Sequence, residues 1–92
     1  MKLKPLAILG NRKLPIIPEY FQVHTIYYND IASTKNRFLV TTSEREIISW
    51  IETNLDKRYA VVTHTMGNNA VIRIGFEDPS DLLMFQLGYP NL

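Results

Sequence analysis

The stretch Tyr59–Phe76, YAVVTHTMGNNAVIRIGF, decides the fold. Tyr59 to Thr65 is rich in β-branched residues, which favour extended backbone. Ala70 to Phe76 then alternates Ala70, Ile72, Ile74 and Phe76 with Val71, Arg73 and Gly75. Side chains on a strand point alternately to the two faces of its sheet, so the first set reads as one apolar core face. Between the runs, Met66-Gly67-Asn68-Asn69 offers Gly and Asn, which tolerate the positive φ of a tight hairpin turn. The parity of that loop sets the register. An even loop puts Tyr59 and Val61 beside Ile74 and Phe76 in the core. It leaves Ala60, Val62, His64, Met66, Val71 and Arg73 on the outer face. The even case is preferred, because it buries an aromatic ring and keeps His64 outside.

Working outward, a helix follows the hairpin. Asp78 is placed to cap it, Pro79 suits the first helical position, and Asp81 lies in the first turn. Leu82, Leu83, Phe85 and Leu87 form its apolar side, with Gly88 expected as a left-handed stop and Pro90 barring continuation. A second helix, over Ser43 to Lys57, precedes the hairpin. Ser43 with Glu46 has the spacing of a capping box, and Ile47, Ile48, Ile51 and Leu55 repeat at helical spacing beside Trp50. Lys57 and Arg58 close it where cations suit the helix dipole.

The N-terminal half carries weaker signals. Tyr20 to Tyr28 reads as a strand, Asn29 to Asn36 as a turn, and Arg37 to Thr41 as a strand running into the helix. Leu6 to Leu9 reads as a further short strand. Pro15 and Pro18 make Gly10 to Glu19 an extended connection. The expectation is one domain spanning 1–92, with an extended segment over 1–18 and a core over 19–92. Its class is α+β: a small antiparallel sheet with two helices on one face. From Arg37 the order is strand–helix–strand–strand–helix, and pairing 20–28 antiparallel to 37–41 would make a circularly permuted ferredoxin-like sheet.

With 92 residues, 46% apolar and 21% charged, the chain is sized and composed for one modest core. It has no cysteine, which removes disulfides and thiolate metal sites and fits a reducing compartment. Met1 to Gly10 mixes basic residues with an apolar run too short for a secretory leader, and nothing approaches the ~20 apolar residues of a membrane span. A cytoplasmic protein is expected. Net charge is +1, split as +4 over residues 1–40 and −3 over 41–92. Such polarity can steer a charged partner, although four of the seven acids of the second half are explained by helix first turns.

No catalytic constellation is visible. His24 and His64 fall on different strands without metal-ligand spacing. Glu77, Asp78 and Asp81 are accounted for by a cap and a first turn. Gly10, Gly67, Gly75 and Gly88 match neither a phosphate loop nor a dinucleotide fingerprint. Ser33, Ser43, Ser49 and Ser80 have no base placed beside them by the sequence. Pro15-Ile16-Ile17-Pro18 has the spacing of a polyproline motif, but its isoleucines read more simply as a strip packing on the core. The expectation is therefore a non-enzyme with no cofactor and no metal.

Two surfaces remain. Tyr27 and Tyr28 interleave with Lys35 and Arg37 as candidate nucleic-acid contacts, since bases stack on such aromatics. Against this, the central strand presents Val71, Arg73 and Gly75 outward, with no aromatic ring for a base. The other surface is the outer sheet face, with Val62, His64, Met66, Val71 and Arg73 as candidate interface residues. A face this apolar usually meets something: residues 1–18 or a second subunit. A homodimer is the preferred reading.

The stretch Ala70 to Leu87, AVIRIGFEDPSDLLMFQL, resembles the C-terminal ends of small uncharacterised accessory proteins of tailed bacteriophages. Those ends pair a strand finishing in Phe with an acidic turn and a D-(A/L)-x-x-F-x-L helix. Phe76, Asp81, Leu82, Phe85 and Leu87 match, whereas Gln86 stands where a basic residue is usual and Gly88-Tyr89 departs from the common ending. The resemblance implies a phage-type accessory protein that binds another protein, as a host-takeover factor or inhibitor in the host cytoplasm. The alternatives are a nucleic-acid-binding regulator using the basic half and a minor virion protein.

Overall fold

The computed structural model describes residues 12–89. In chain order these form β1 (Lys13–Leu14), β2 (Gln22–Tyr28), α1 (Thr34–Asn54), β3 (Tyr59–Met66), β4 (Asn69–Phe76) and α2 (Pro79–Gly88). One four-stranded sheet has the order β1-β3-β4-β2. The β3–β4 and β4–β2 pairs are antiparallel and the short β1–β3 pair is parallel. The fold is α+β, with a mixed and mostly antiparallel sheet.

The hairpin takes the even-loop register. Tyr59 lies opposite Phe76, Val61 opposite Ile74, and Met66 opposite Asn69, which leaves Gly67-Asn68 as a two-residue turn. Gly67 has φ +61° and Asn68 does not have positive φ, the pattern of a type II′ hairpin turn. Both helices lie on the face defined by the even residues of β4. There Ile72, Ile74 and Phe76 pack with Ile47 and Ile51 of α1, with its C-cap Leu55 and with Phe85 of α2. Aromatic rings join the layers: Phe85 meets Phe76 at 5.5 Å and Trp50 at 5.6 Å between centroids.

The N-terminal half departs from the sequence reading. Arg37 to Thr41 is not a strand but the second turn of α1, which begins at Thr34 and ends at Asn54. The true cap is Ser33, whose Oγ accepts from the Asn36 amide at 3.3 Å; Ser43, the expected cap, lies inside the helix. Local β propensity in Phe38-Leu39-Val40-Thr41-Thr42 loses to packing, because Val40 precedes Ile47 and Ile51 by seven and eleven residues and extends their buried stripe. Thr63 of β3 donates to the Glu44 carboxylate and ties this half of the helix to the sheet.

With no strand at 37–41, β2 pairs instead with β4, with Gln22 opposite Phe76 and Tyr28 opposite Ala70. From Gln22 the chain then runs β–α–β–β–α in the ordinary ferredoxin-like order, short of the last strand, so no permutation is needed. The extended connection before it holds β1, two residues paired with Tyr59 and Ala60, which the prolines concealed. Gly88 also differs from expectation: it is the last residue of α2 and not left-handed. A Cβ there would sit 3.0 Å from the Trp50 ring, so what it supplies is close approach between the helices. The strand expected over Leu6 to Leu9 lies outside the described residues.

Candidate functional site

The candidate site grows from the odd-even alternation of the same strands. On β3 and β4 the outer face carries Ala60, Val62 and His64 opposite Gly75, Arg73 and Val71. On β2 it adds Val23, Thr25 and Tyr27 opposite the same three β4 residues. Thus Val62, His64, Val71 and Arg73 do share one surface, and Met66 stands at its hairpin end, exposed. Val71 is buried among them, while His64 and Arg73 are exposed. Tyr27 is 74% exposed.

One end of this face is covered by the segment between β1 and β2. The side chain of Ile17 lies over Gly75: a Cβ on Gly75 would meet Ile17 Cγ2 at 2.7 Å. Phe21 is buried beside it and stacks edge-on with Tyr20 at 5.0 Å. The Pro15-Ile16-Ile17-Pro18 strip thus packs on the sheet through Ile17. Between strip and sheet a cleft of about 230 Å3 is lined by Ile16, Ile17, Val62, His64 and Arg73. It combines apolar walls with one guanidinium and one imidazole, a composition suited to an apolar side chain flanked by a carboxylate.

Polar pairs hold the strip in place. Arg12 donates to the Glu52 carboxylate at 2.9 Å and to the Lys57 carbonyl at 3.1 Å, and its guanidinium lies 5.7 Å over the Tyr59 ring. Tyr59 donates to the other Glu52 oxygen, and burial first, then that carboxylate, push its phenol far above the usual value. At the far side of the strip, Arg58 donates to both Glu77 oxygens and to Tyr20 Oη. The Glu77 carboxyl is held below the usual range by that guanidinium.

The remaining sequence candidates separate. Asp78 caps α2, accepting from the Ser80 amide and hydroxyl at 2.9 Å each, and those bonds lower its pKa. Asp81 is buried in the first turn, where desolvation, with Asp78 and Asp56 nearby, raises its pKa. Among the described residues no three His, Asp or Glu side chains gather as a metal site. His24 is on the core face, edge-on to Phe85 at 5.8 Å and 3.3 Å from Gln86 Nε2, and burial lowers its pKa. It is therefore on the opposite side of the sheet from His64. Tyr27 and Tyr28 likewise point to opposite faces, and Arg37 is engaged with the Ile31 and Ala32 carbonyls at 3.4 and 3.2 Å. Tyr27 and Tyr28 therefore do not share one surface.

Sequence reasoning missed a second apolar region. Near the start of α1, Phe38 is 69% exposed and lines a groove of about 550 Å3 with Thr42, Arg45 and Ile48, while half-exposed Leu39 lines another of about 370 Å3 with Ile26, Tyr28, Ile47 and Tyr89. Reading Ser33 as the cap would have revealed it, since a helix from Thr34 puts Phe38 and Leu39 off the Val40 stripe. Among the described residues no helix is long and apolar enough to cross a membrane.

Fold and surface together define a small α+β module with both helices on one sheet face and, among the described residues, a partly exposed surface on the other. Comparison with known proteins finds no matching family model, no similar curated protein and no similar solved structure.

Proposed function

We propose that this chain is a non-enzymatic accessory protein of the phage type that acts by binding another protein through the outer face of its sheet. The observation that carries the reading is the cleft between Ile16, Ile17, Val62, His64 and Arg73, continuous with exposed Tyr27 and Met66. Exposed apolar side chains grouped around a few polar anchors are what protein interfaces use, with aromatic and Arg residues supplying most of the energy. The resemblance of Ala70 to Leu87 to phage accessory proteins supports the accessory role and a host partner in the cytoplasm.

Affinity capture from host lysate tests it with three baits: the wild type, Arg73→Glu, and Thr53→Glu on the exposed far side of α1. The expected outcome is a protein retained by the wild type and Thr53→Glu and lost, by tenfold or more, with Arg73→Glu. Equal capture by all three rejects the face. Capture of nucleic acid that falls steeply with salt would favour a regulator instead.

A further inference from the structure

We propose that the open edge of β2 is closed by a second copy of this chain, strand against strand about a two-fold axis through Thr25. The two edges of the sheet are built differently. The β1 edge is two residues long and carries Lys13 and then Pro15, both devices that discourage further pairing. The β2 edge is seven residues, Gln22-Val-His-Thr-Ile-Tyr-Tyr28, without a Lys, Arg, Asp, Glu, Pro or Gly. Among the described residues nothing pairs on its outer side, where a complete ferredoxin-like sheet would have its last strand. A long edge with no charge or proline is a template for β-addition.

The occupant follows from self-complementarity. In an antiparallel pair centred on Thr25, Val23 faces Tyr27 of the second copy, His24 faces Ile26, Gln22 faces Tyr28, and Thr25 faces itself. A β-branched residue against an aromatic and a Thr–Thr pair are favourable cross-strand neighbours, and no like charges meet. The two positions of each pair have the same parity, so both copies keep their helices on the same side.

A second, independent feature fits the same axis. α2 packs on both β2 and β4, with Gln86 and Phe85 over His24. Its other side, Leu83, Met84 and Leu87, is bare, with Leu87 79% exposed. Neighbouring strands lie about 4.8 Å apart, so helices seated half a strand inside each edge come to about 10 Å, the spacing of packed helices. Edge pairing therefore sets the two α2 helices side by side, each turning its Gln86 flank and Leu83 toward the other. It deepens the protein-binding reading, and rests on it only in that the paired sheets join their outer faces into one larger surface. A dimer built by stacking outer faces would instead consume that surface.

Because a residue on a two-fold axis meets itself, Thr25→Lys and Thr25→Glu should each separate the copies, and their equimolar mixture should rejoin them. Light scattering of the purified chain at tens of micromolar reads this. The proposal predicts twice the 10.7 kDa chain mass for the wild type, single mass for each variant alone, and double mass for the mixture. Alternate β2 amides should exchange about tenfold slower in the wild type than in Thr25→Lys. Leu83→Glu/Gln86→Glu, at exposed positions on the flank of α2 that faces the partner helix, should also shift the wild type toward single mass, and decides the matter should circular dichroism show Thr25→Lys unfolded. Single mass for the wild type overturns the proposal. If its β2 amides are slow nonetheless, the occupant is the chain's own segment before Arg12. A dimer that survives Thr25→Lys, or a mixture that stays monomeric, overturns it too. None of these results depends on the host partner, so the two readings fail separately.

Discussion

The two faces of the sheet are made by the same strands and end in opposite states. On one, Ile72, Ile74 and Phe76 have no exposed surface and share a core cluster with Ile47 and Ile51 of α1 and Phe85 of α2. On the other, Arg73, His64 and Tyr27 stand in solvent around a buried Val71, and among the described residues the Gly75 end is covered by Ile17 and Phe21. The alternation that builds a core with every second residue leaves the intervening residues free for another purpose. What differs is the cover: two helices that must bury their own apolar stripes against one face, and the seven-residue segment between β1 and β2 against a corner of the other.

The contrast breaks most easily at Ile74. Replacing it by Ala should cost roughly 2–5 kcal/mol in chemical denaturation, the range for truncating a buried aliphatic side chain. Val62→Ala, on the outer face, should cost under about 1 kcal/mol, because its surroundings are half-open. Comparable losses at the two positions would mean that the faces are equally packed.

A smaller effect sharpens the description of the covered corner. Gly75→Ala should cost about 1 kcal/mol, since the new methyl must displace Ile17. In the Ile17→Ala background the same change should cost less, and a double-mutant cycle measures that coupling. Additive losses would show that the strip does not rest on Gly75.

Much of the C-terminal half was legible because each local signal agreed with the others. Burying Tyr59 while leaving His64 outside favoured an even turn, the alternation marked the buried set, and Asp78-Pro79 marked the start of α2. In the N-terminal half the signals conflicted. The Ser43-x-x-Glu46 spacing imitated a helix start, while the β-branched run before it imitated a strand. Only the distant repeat from Val40 to Ile47 and Ile51 revealed one continuous helix. The site was legible as a parity pattern, but its cleft was not, because Ile16 and Ile17 reach it through β1, a two-residue parallel pairing with no sequence signature.

The smallest expected effect concerns His24 on the helix side. Burial lowers its pKa from the ordinary 6.5, so the unfolded chain binds the proton more readily than the folded one. The associated stability is present above that ordinary value and is lost as the pH falls through the lowered folded value. His24→Phe should flatten the dependence of the denaturation midpoint on pH between about 7 and 5. A slope that persists in His24→Phe would place its source elsewhere.

The central claim is that the outer face, and not the helical side, meets the partner. A photoreactive side chain introduced at His64, and separately at Thr53, tests it most directly inside the host cell. Adducts from position 64 to a protein of unlike mass, with none from position 53, are the predicted result. Crosslinks from position 53 alone, or from neither, would contradict it.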